Sequence, residues 1–327
     1  MHTMGAAQLP AVPRESEFPL TSTVAEKLRF VSRYATFAPS LYNSRPWQLR
    51  LVGGELELCL DPARSLPAAD PCRRQQVIGC GGALYYLILA ARRFGYLLEV
   101  STRPEPRRQL LLARVRLGPR KLPSDRERAL FEAIGRSRPR AHGGSGRAPS
   151  AAFGEHLQEL ARAEGAWLRE IGPGSEPAML EALLMQSVRH LVAGAGTRRE
   201  LAGWLRRPWD PRVDGIPRGQ LGIGALRMRL AGWPMPAVLA CRVLRPVLRG
   251  IAGAAGAPLV MALGTGGDEC RDWLSGGRAL ARALLEARME GVPAAWLCQP
   301  AEQPALRRRL AALAGGGLPY GILALGG

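Results

Sequence analysis

The ten residues Ala38-Pro-Ser-Leu-Tyr-Asn-Ser-Arg-Pro-Trp47 concentrate the side chains best suited to holding a ligand in this 327-residue chain. Pro39 and Pro46 fix φ, and each forces its predecessor toward extended geometry. Ser40 and Asn43 can hydrogen-bond to their own backbone or to a ligand. Trp47 offers a large rigid surface with one donor. The stretch joins a helical pattern, roughly Thr23 to Thr36, to a strand pattern from Trp47 to Leu60. It reads as a loop built to hold a flat polar ligand. The competing reading is a structural turn leading into an edge strand.

Composition removes several chemistries. The net charge is +18, and all but Lys27 and Lys121 of the 45 basic residues are arginines. Such a charge favours an anionic partner: nucleic acid, a membrane surface or a phosphorylated cofactor. The arginines lie in scattered pairs and one triplet, Arg307 to Arg309, and aromatics make up only 6%, which argues against nucleic acid. Neither lysine follows a glycine-rich loop, so there is no P-loop and no good Schiff-base candidate. The six cysteines form no C-x-x-C pair and the four histidines have no ligand spacing, so no metal site is expected. Reduced, buried thiols in a cytoplasmic protein are the expectation. Residues 1–20 hold no apolar signal core, and the apolar run from Ala231 to Leu263 is broken by Arg242, Arg245 and Arg249, which excludes a membrane span.

The elements around these residues repeat. A shift of 196 positions lays Gly81–Gly95 on Gly277–Gly291, with identities at seven of fifteen positions, among them Gly81/Gly277, Leu84/Leu280, Leu89/Leu285 and Arg92/Arg288. Both segments have helical apolar spacing and begin with small residues that allow another backbone to approach closely. Two related halves follow, with a boundary near Gly118 to Ser124. The first half has strands at Gln48–Val52, Glu55–Leu60, Tyr96–Thr102 and Leu110–Leu117 around the glycine-bearing helix. The second has helices at Asp125–Ile134, Ala151–Glu164, Glu176–Leu191, Arg198–Leu205, Ala237–Arg249, Asp268–Met289 and Gln303–Ala314, and closes on a strand, Tyr320–Leu325. Without strict βαβ alternation, this pattern predicts an α+β fold. Gly79-x-Gly81-Gly82 and Gly264-x-Gly266-Gly267 lack the full dinucleotide fingerprint and read as packing or turn glycines.

Ala38–Trp47 resembles the A-P-S-x-x-N-x-Q-P-W signature of the flavin-dependent nitroreductase family. Asp61, Arg64, Leu66-Pro67, Asp70-Pro71, Arg74, Cys80-Gly81 and Ala83-Leu84 resemble a run found in the Acg-like subgroup of that family. Thr265, Asp268-Glu269, Asp272-Trp273-Leu274, Gly277, Leu285, Gly291 and Gln299-Pro300-x-Glu302 resemble that subgroup's C-terminal pattern. The resemblance implies a nitroreductase-like α+β fold in which two subunit-like halves, 21–120 and 121–327, are fused as a pseudo-dimer behind an N-terminal arm, 1–20. It implies one FMN between the halves, with Pro39, Ser40 and Asn43 facing the isoalloxazine. It implies a phosphate clamp at Arg136, Arg138 and Arg140. Pro139 keeps Arg138 extended, and extended residues two apart point the same way, so the three cations can converge on one phosphate. The competing reading is an exposed basic loop. Arg45 replaces the family's glutamine; it either brings positive charge to the flavin or points to solvent. Leu323-Ala324-Leu325-Gly326 stands where the subgroup often reads L-R-L-G, one cation fewer.

The resemblance thus implies a hydride from NAD(P)H to flavin and two-electron reduction of a small-molecule acceptor, a nitroaromatic, a quinone or a related compound. No dedicated acid–base pair stands out, and no catalytic residue is assigned. A chain carrying two halves is expected as a monomeric pseudo-dimer or a homodimer. Arg242, Arg245 and Arg249 read either as one face of a lid over the cofactor or as an amphipathic surface helix. The rival functions are a protein that sequesters FMN with little turnover and a flavin-free fold serving as a binding protein.

Overall fold

The computed structural model describes residues 11–135, 149–171, 177–207, 210–217 and 259–326. Thr23 and Glu26 form a capping box that starts helix α1 (Val24–Ser32). The helix expected to reach Thr36 instead tightens into a 3₁₀ turn over Arg33–Phe37. Strands β1 (Trp47–Val52) and β2 (Glu55–Leu60) form a hairpin. Its turn needs two left-handed residues, supplied by Gly53 and Gly54 with φ of +56° and +82°. Helix α2 (Arg74–Arg93) and strands β3 (Tyr96–Thr102) and β4 (Leu111–Arg120) follow, giving an antiparallel sheet of order β1-β2-β4-β3.

Helices α3 (Asp125–Gly135) and α4 (Ala151–Ala163) then lead to β5 (Trp167–Glu170). Helices α5 (Pro177–Ala193) and α6 (Ala195–Trp204) precede two short paired segments, β6 (Leu205–Arg206) and β7 (Ile216–Pro217). The chain described last holds β8 (Leu259–Thr265), α7 (Cys270–Met289), β9 (Ala294–Leu297), α8 (Pro304–Leu313) and β10 (Leu318–Leu325). A second antiparallel sheet has the order β5-β8-β10-β9. This is the order of the first sheet, with a 20-residue helix at the same place in the connection. The architecture is α+β.

Three strands of the second sheet, β5, β8 and β9, are absent from the sequence reading, which has one closing strand there. The run Leu259–Leu263 is uniformly apolar because both faces of the strand are covered, and such a run carries no period-two signal. The segment Ala294–Leu297 is short and alanine-rich, a poor strand former that pairing with β10 holds in place. The segment Ala237–Arg249 lies outside the described residues.

Helices α2 and α7 form the spine. They run side by side in one direction: Arg74 at the start of α2 pairs with Asp268 just ahead of α7, and Gly81 packs on Gly277. A Cβ on Gly81 would lie 2.2 Å from the Leu274 carbonyl oxygen, and one on Gly277 would lie 2.0 Å from that of Ile78. The dinucleotide-like glycines are therefore packing glycines. Leu274, Ala281 and Leu285 of α7 join α2, α3 and the first sheet in one core, while Ile78 of α2 joins the second. The helix packed on each sheet thus contributes to the core of the other. The arm is anchored as well: Phe18 stacks on Phe94 at 4.1 Å, and the Tyr34 hydroxyl donates to the Pro13 carbonyl. Among the described cysteines, Cys59, Cys80 and Cys298 are buried, Cys270 is half-buried and Cys72 is exposed, which departs from the expectation of uniformly buried thiols. No described helix is long and apolar enough to cross a membrane.

Candidate functional site: a cleft between the halves

The loop ahead of β1 is held in a costly conformation. Tyr42, Asn43 and Arg45 have φ of 53°, 53° and 51°. Left-handed backbone is unfavourable for any residue with a Cβ, least so for Asn. Three sets of bonds hold it. The Ser40 hydroxyl accepts from the Arg45 amide at 3.0 Å. Asn43 Nδ2 donates to the carbonyls of Val213 and Gly215, each at 3.1 Å, and the Gly215 amide returns a bond to the Asn43 carbonyl. Arg64 donates to the Ser44 carbonyl and to Asp214, both at 2.8 Å, tying the loop to the segment before β7. Beneath it, Gly79 leaves room for the loop to sit directly on α2: a Cβ there would approach Ser40 Cβ at 3.3 Å and Pro46 at 3.4 Å.

The loop forms one wall of a cleft of about 260 Å³ against α2, α7 and β9. Pro39, Ser40, Leu41 and Tyr42 line it from the loop, and Gln75, Ile78, Gly79 and Tyr86 from α2. Leu280, Leu284 and Arg288, four apart on α7, supply the facing wall with Val292, Ala294, Trp296 and Cys298. Pro39 and Ser40, which the resemblance expects to face a flavin, line the cleft. Asn43 does not line the cleft; its amide is committed to Val213 and Gly215. Arg45 is 9% exposed, so the alternative that it points to solvent is excluded. It is not among the cleft-lining residues. Arg136, Arg138 and Arg140 lie outside the described residues.

One end of the cleft abuts a buried polar network in which several residues that carried the resemblance, Arg74, Asp268, Trp273 and Glu302, meet Gln75, Trp296 and Arg307. Gln75 Nε2 donates to Glu302 and to the Tyr320 carbonyl, each at 2.9 Å, and Gln75 Oε1 accepts from Trp296 Nε1 at 3.2 Å. Arg74 bridges Glu302 and Asp268, both at 3.3 Å, and Arg307 and Trp273 also donate to Asp268. Burial works against the Asp268 carboxylate, yet the bonds from Arg307 and Trp273 and the charge of Arg74 outweigh it and hold its pKa at about 2. Glu302 behaves oppositely. Burial, then the nearby Asp70 charge, outweighs Arg74 and raises its pKa to about 7. Asp70 is raised too, chiefly by burial, and accepts from the Gln76 amide at 2.9 Å. This network ties the start of α2 to α7, β9 and β10 and frames the cleft.

The other end is cationic. Arg288 is the one charged residue among the described lining residues. Its Nη1 donates to the carbonyls of Ala133 and Ile134, at 3.2 and 3.5 Å, at the C-terminal end of α3. Its partner in the internal repeat, Arg92, likewise donates to the carbonyls of Lys121 and Leu122 but is neutralised by a forked pair with Glu127 at 2.7 and 3.0 Å. Among the described residues Arg288 has no carboxylate partner. The repeat alignment was the signal that singled out Arg288 in the sequence, though nothing local marked it for the cleft. Tyr42, Gln75, Trp296 and Cys298 carried no such signal, because only the tertiary fold gathers them. Among the described residues no group of His, Cys, Asp or Glu is placed to hold a metal ion.

No family model matches the chain. It is 29% identical to a Mycobacterium tuberculosis (strain H37Rv) protein named "Putative NAD(P)H nitroreductase Rv3131", over 92% of this chain and 85% of that one. It is 30% identical to "Putative NAD(P)H nitroreductase acg" of the same strain, over 36% of this chain and 35% of that one. It is 31% identical to "Uncharacterized protein Rv3127", also of that strain, over 25% of each chain. With a likeness that runs nearly end to end and a signature loop that forms the wall of a cleft between two sheets of one topology, the chain is similar to proteins named as putative NAD(P)H nitroreductases.

Proposed function

We propose that this chain is an NAD(P)H-dependent flavin oxidoreductase of nitroreductase type that holds one FMN in the cleft between two fused, related halves. The halves are residues 21–120 and 121–327, behind an arm of residues 1–20, and the arrangement is the Acg-like pseudo-dimer. The observation that carries the reading is the cleft itself. It brings Pro39 and Ser40 of the signature loop against α7 and β9, has apolar walls from Ile78, Leu280, Leu284 and Trp296, and ends at Arg288, which has no carboxylate partner among the described residues. The residues fit such a group: a flat ring lies between apolar walls, and Arg288 answers a phosphate. The phosphate clamp that the resemblance implies, Arg136, Arg138 and Arg140, follows α3 in the sequence.

FMN, when bound, supplies the two-electron redox chemistry that links NAD(P)H to a nitroaromatic, quinone or related small-molecule acceptor. The chain's own residues bind and orient. Arg288 supplies charge at one end, and the walls exclude water and strengthen every electrostatic contact inside. No carboxylate or histidine stands among the described lining residues, which fits a site whose redox chemistry belongs to its cofactor. The test is anaerobic addition of NADPH to the flavin-loaded protein in a stopped-flow absorbance instrument. The reading expects the flavin band to bleach within seconds and to return when a nitroaromatic or quinone is added. Bound flavin that NADPH leaves oxidised would assign the chain to FMN sequestration instead.

A further inference from the structure

Trp296 lines the cleft from β9, and its indole is held there at two points. The ring nitrogen, its one polar atom, donates to Gln75 Oε1 at 3.2 Å. Gln75 cannot turn its amide over. Its Nε2 donates to the Tyr320 carbonyl and to Glu302, each at 2.9 Å, and a carbonyl only accepts while an indole only donates. The six-membered ring of the indole lies over bare backbone of β10. A Cβ on Gly321 would come within 2.6 Å of Cζ2 and 2.7 Å of Cη2, so a glycine is what leaves the ring its seat. Trp296 is nonetheless only half-buried. With the nitrogen spent on Gln75, what it leaves open is apolar ring surface, clustered with Ile78, Leu280 and Leu284 of the same cleft.

We infer that Trp296 is the platform on which the flat ring of the bound ligand stacks. The inference rests on the flavin reading and names the ring contact within it. Aromatic rings in offset contact gain energy beyond the area they bury. The indole is electron-rich and the oxidised isoalloxazine electron-poor, which favours the pair further. The indole is already fixed by Gln75 and Gly321, so a ligand that stacks on it orders no further side chain there. Arg288 lies at the other end of the cleft, so the two residues divide the ligand: Trp296 takes the ring and Arg288 the phosphate.

The experiment titrates FMN and riboflavin into the full chain, stripped of any bound flavin, and into the Trp296→Leu and Trp296→Phe variants. Affinity is read from the titration, and flavin emission is read at saturation. Riboflavin shares the ring but lacks the phosphate, so loss of a ring platform weakens both ligands alike. Trp296→Leu is expected to bind each about fivefold to tenfold more weakly, and Trp296→Phe, which keeps a flat ring, within about threefold of the unaltered chain. An indole in contact quenches flavin emission by electron transfer, so saturated flavin is expected to be brighter in both variants. Unchanged affinity or unchanged emission in Trp296→Leu overturns the assignment while leaving the flavin reading intact. A loss confined to FMN overturns it by placing Trp296 at the phosphate. A loss as large in Trp296→Phe as in Trp296→Leu overturns it by showing that a flat ring is not what is needed. Should Trp296→Leu fail to fold, emission in Trp296→Phe decides: brighter upholds the contact and equal overturns it. If the unaltered chain binds neither flavin, the flavin reading falls and the inference falls with it.

Discussion

Asn43 and Glu302 carry the residue-scale consequences. Asn43 tolerates left-handed backbone better than most residues and spends both amide hydrogens on Val213 and Gly215. Asn43→Ala removes both bonds and puts a strained alanine in place, so stability should fall by about 2–4 kcal/mol. Asn43→Gly loses the bonds but not the backbone fit and should fall by roughly half as much. Urea denaturation of the two variants checks the ordering; equal losses would show that the backbone strain is immaterial. At Glu302 the carboxyl is raised from 4.5 to about 7 in the folded chain. A group that holds its proton more tightly when folded contributes stability that is fully present below the unfolded pKa. That contribution is lost as pH rises through the folded value. Stability should therefore decline between about pH 4.5 and 7, with Asp70 acting in the same direction, and Glu302→Gln should flatten that decline. Melting temperatures across this window test it; a variant with the full slope would contradict the assignment.

The sequence marked these residues unevenly. Ser40 and Pro39 were legible because the loop is local and its prolines punctuate it. Asn43 was legible as important but not in its role, since its partners lie 170 and 172 residues away. Arg74, Asp268 and Glu302 were visible only as parts of motifs. Nothing in a sequence tells a residue that binds a ligand from one that braces the wall behind it.

At the scale of elements, the contact between α2 and α7 governs the cleft. Gly81→Ala would force a Cβ to 2.2 Å from a carbonyl oxygen of the facing helix, where no flexible side chain can yield. The helices must separate, at a cost of about 1–3 kcal/mol or more that outweighs the helix-propensity gain of alanine. Gly82→Ala is the control: its Cβ would meet Ala281 Cβ at an ordinary 3.6 Å, so the change should be neutral or mildly stabilising. Separation of the helices should also weaken flavin binding in Gly81→Ala alone. Paired melts and titrations of the two variants decide it, and equal behaviour would mean that the helices are not in close contact here. The internal repeat marked both helices as ones that another backbone could approach, but only the fold shows that they approach each other. The second sheet stayed hidden for a different reason. Its strands are short or covered on both faces, and composition alone does not separate such strands from buried helix.

At the scale of the molecule, two sheets of the same strand order flank one helix pair, yet the cleft described here has a single signature loop. The asymmetry extends to charge: Arg92 is neutralised by Glu127, whereas its repeat partner Arg288 faces the cleft with no carboxylate partner among the described residues. Arg288→Met should then lower FMN affinity at least tenfold at low salt and leave riboflavin affinity within about twofold, as loss of a charge-assisted bond to phosphate requires. Equal losses for both would place Arg288 away from the phosphate. The proposed site implies a stoichiometry of one flavin per chain. The most direct test is the absorption spectrum of the purified protein, saturated with FMN, freed of excess and then heated to release what is bound. One FMN per chain is the predicted result; a protein that stays colourless after FMN is added would contradict the central claim.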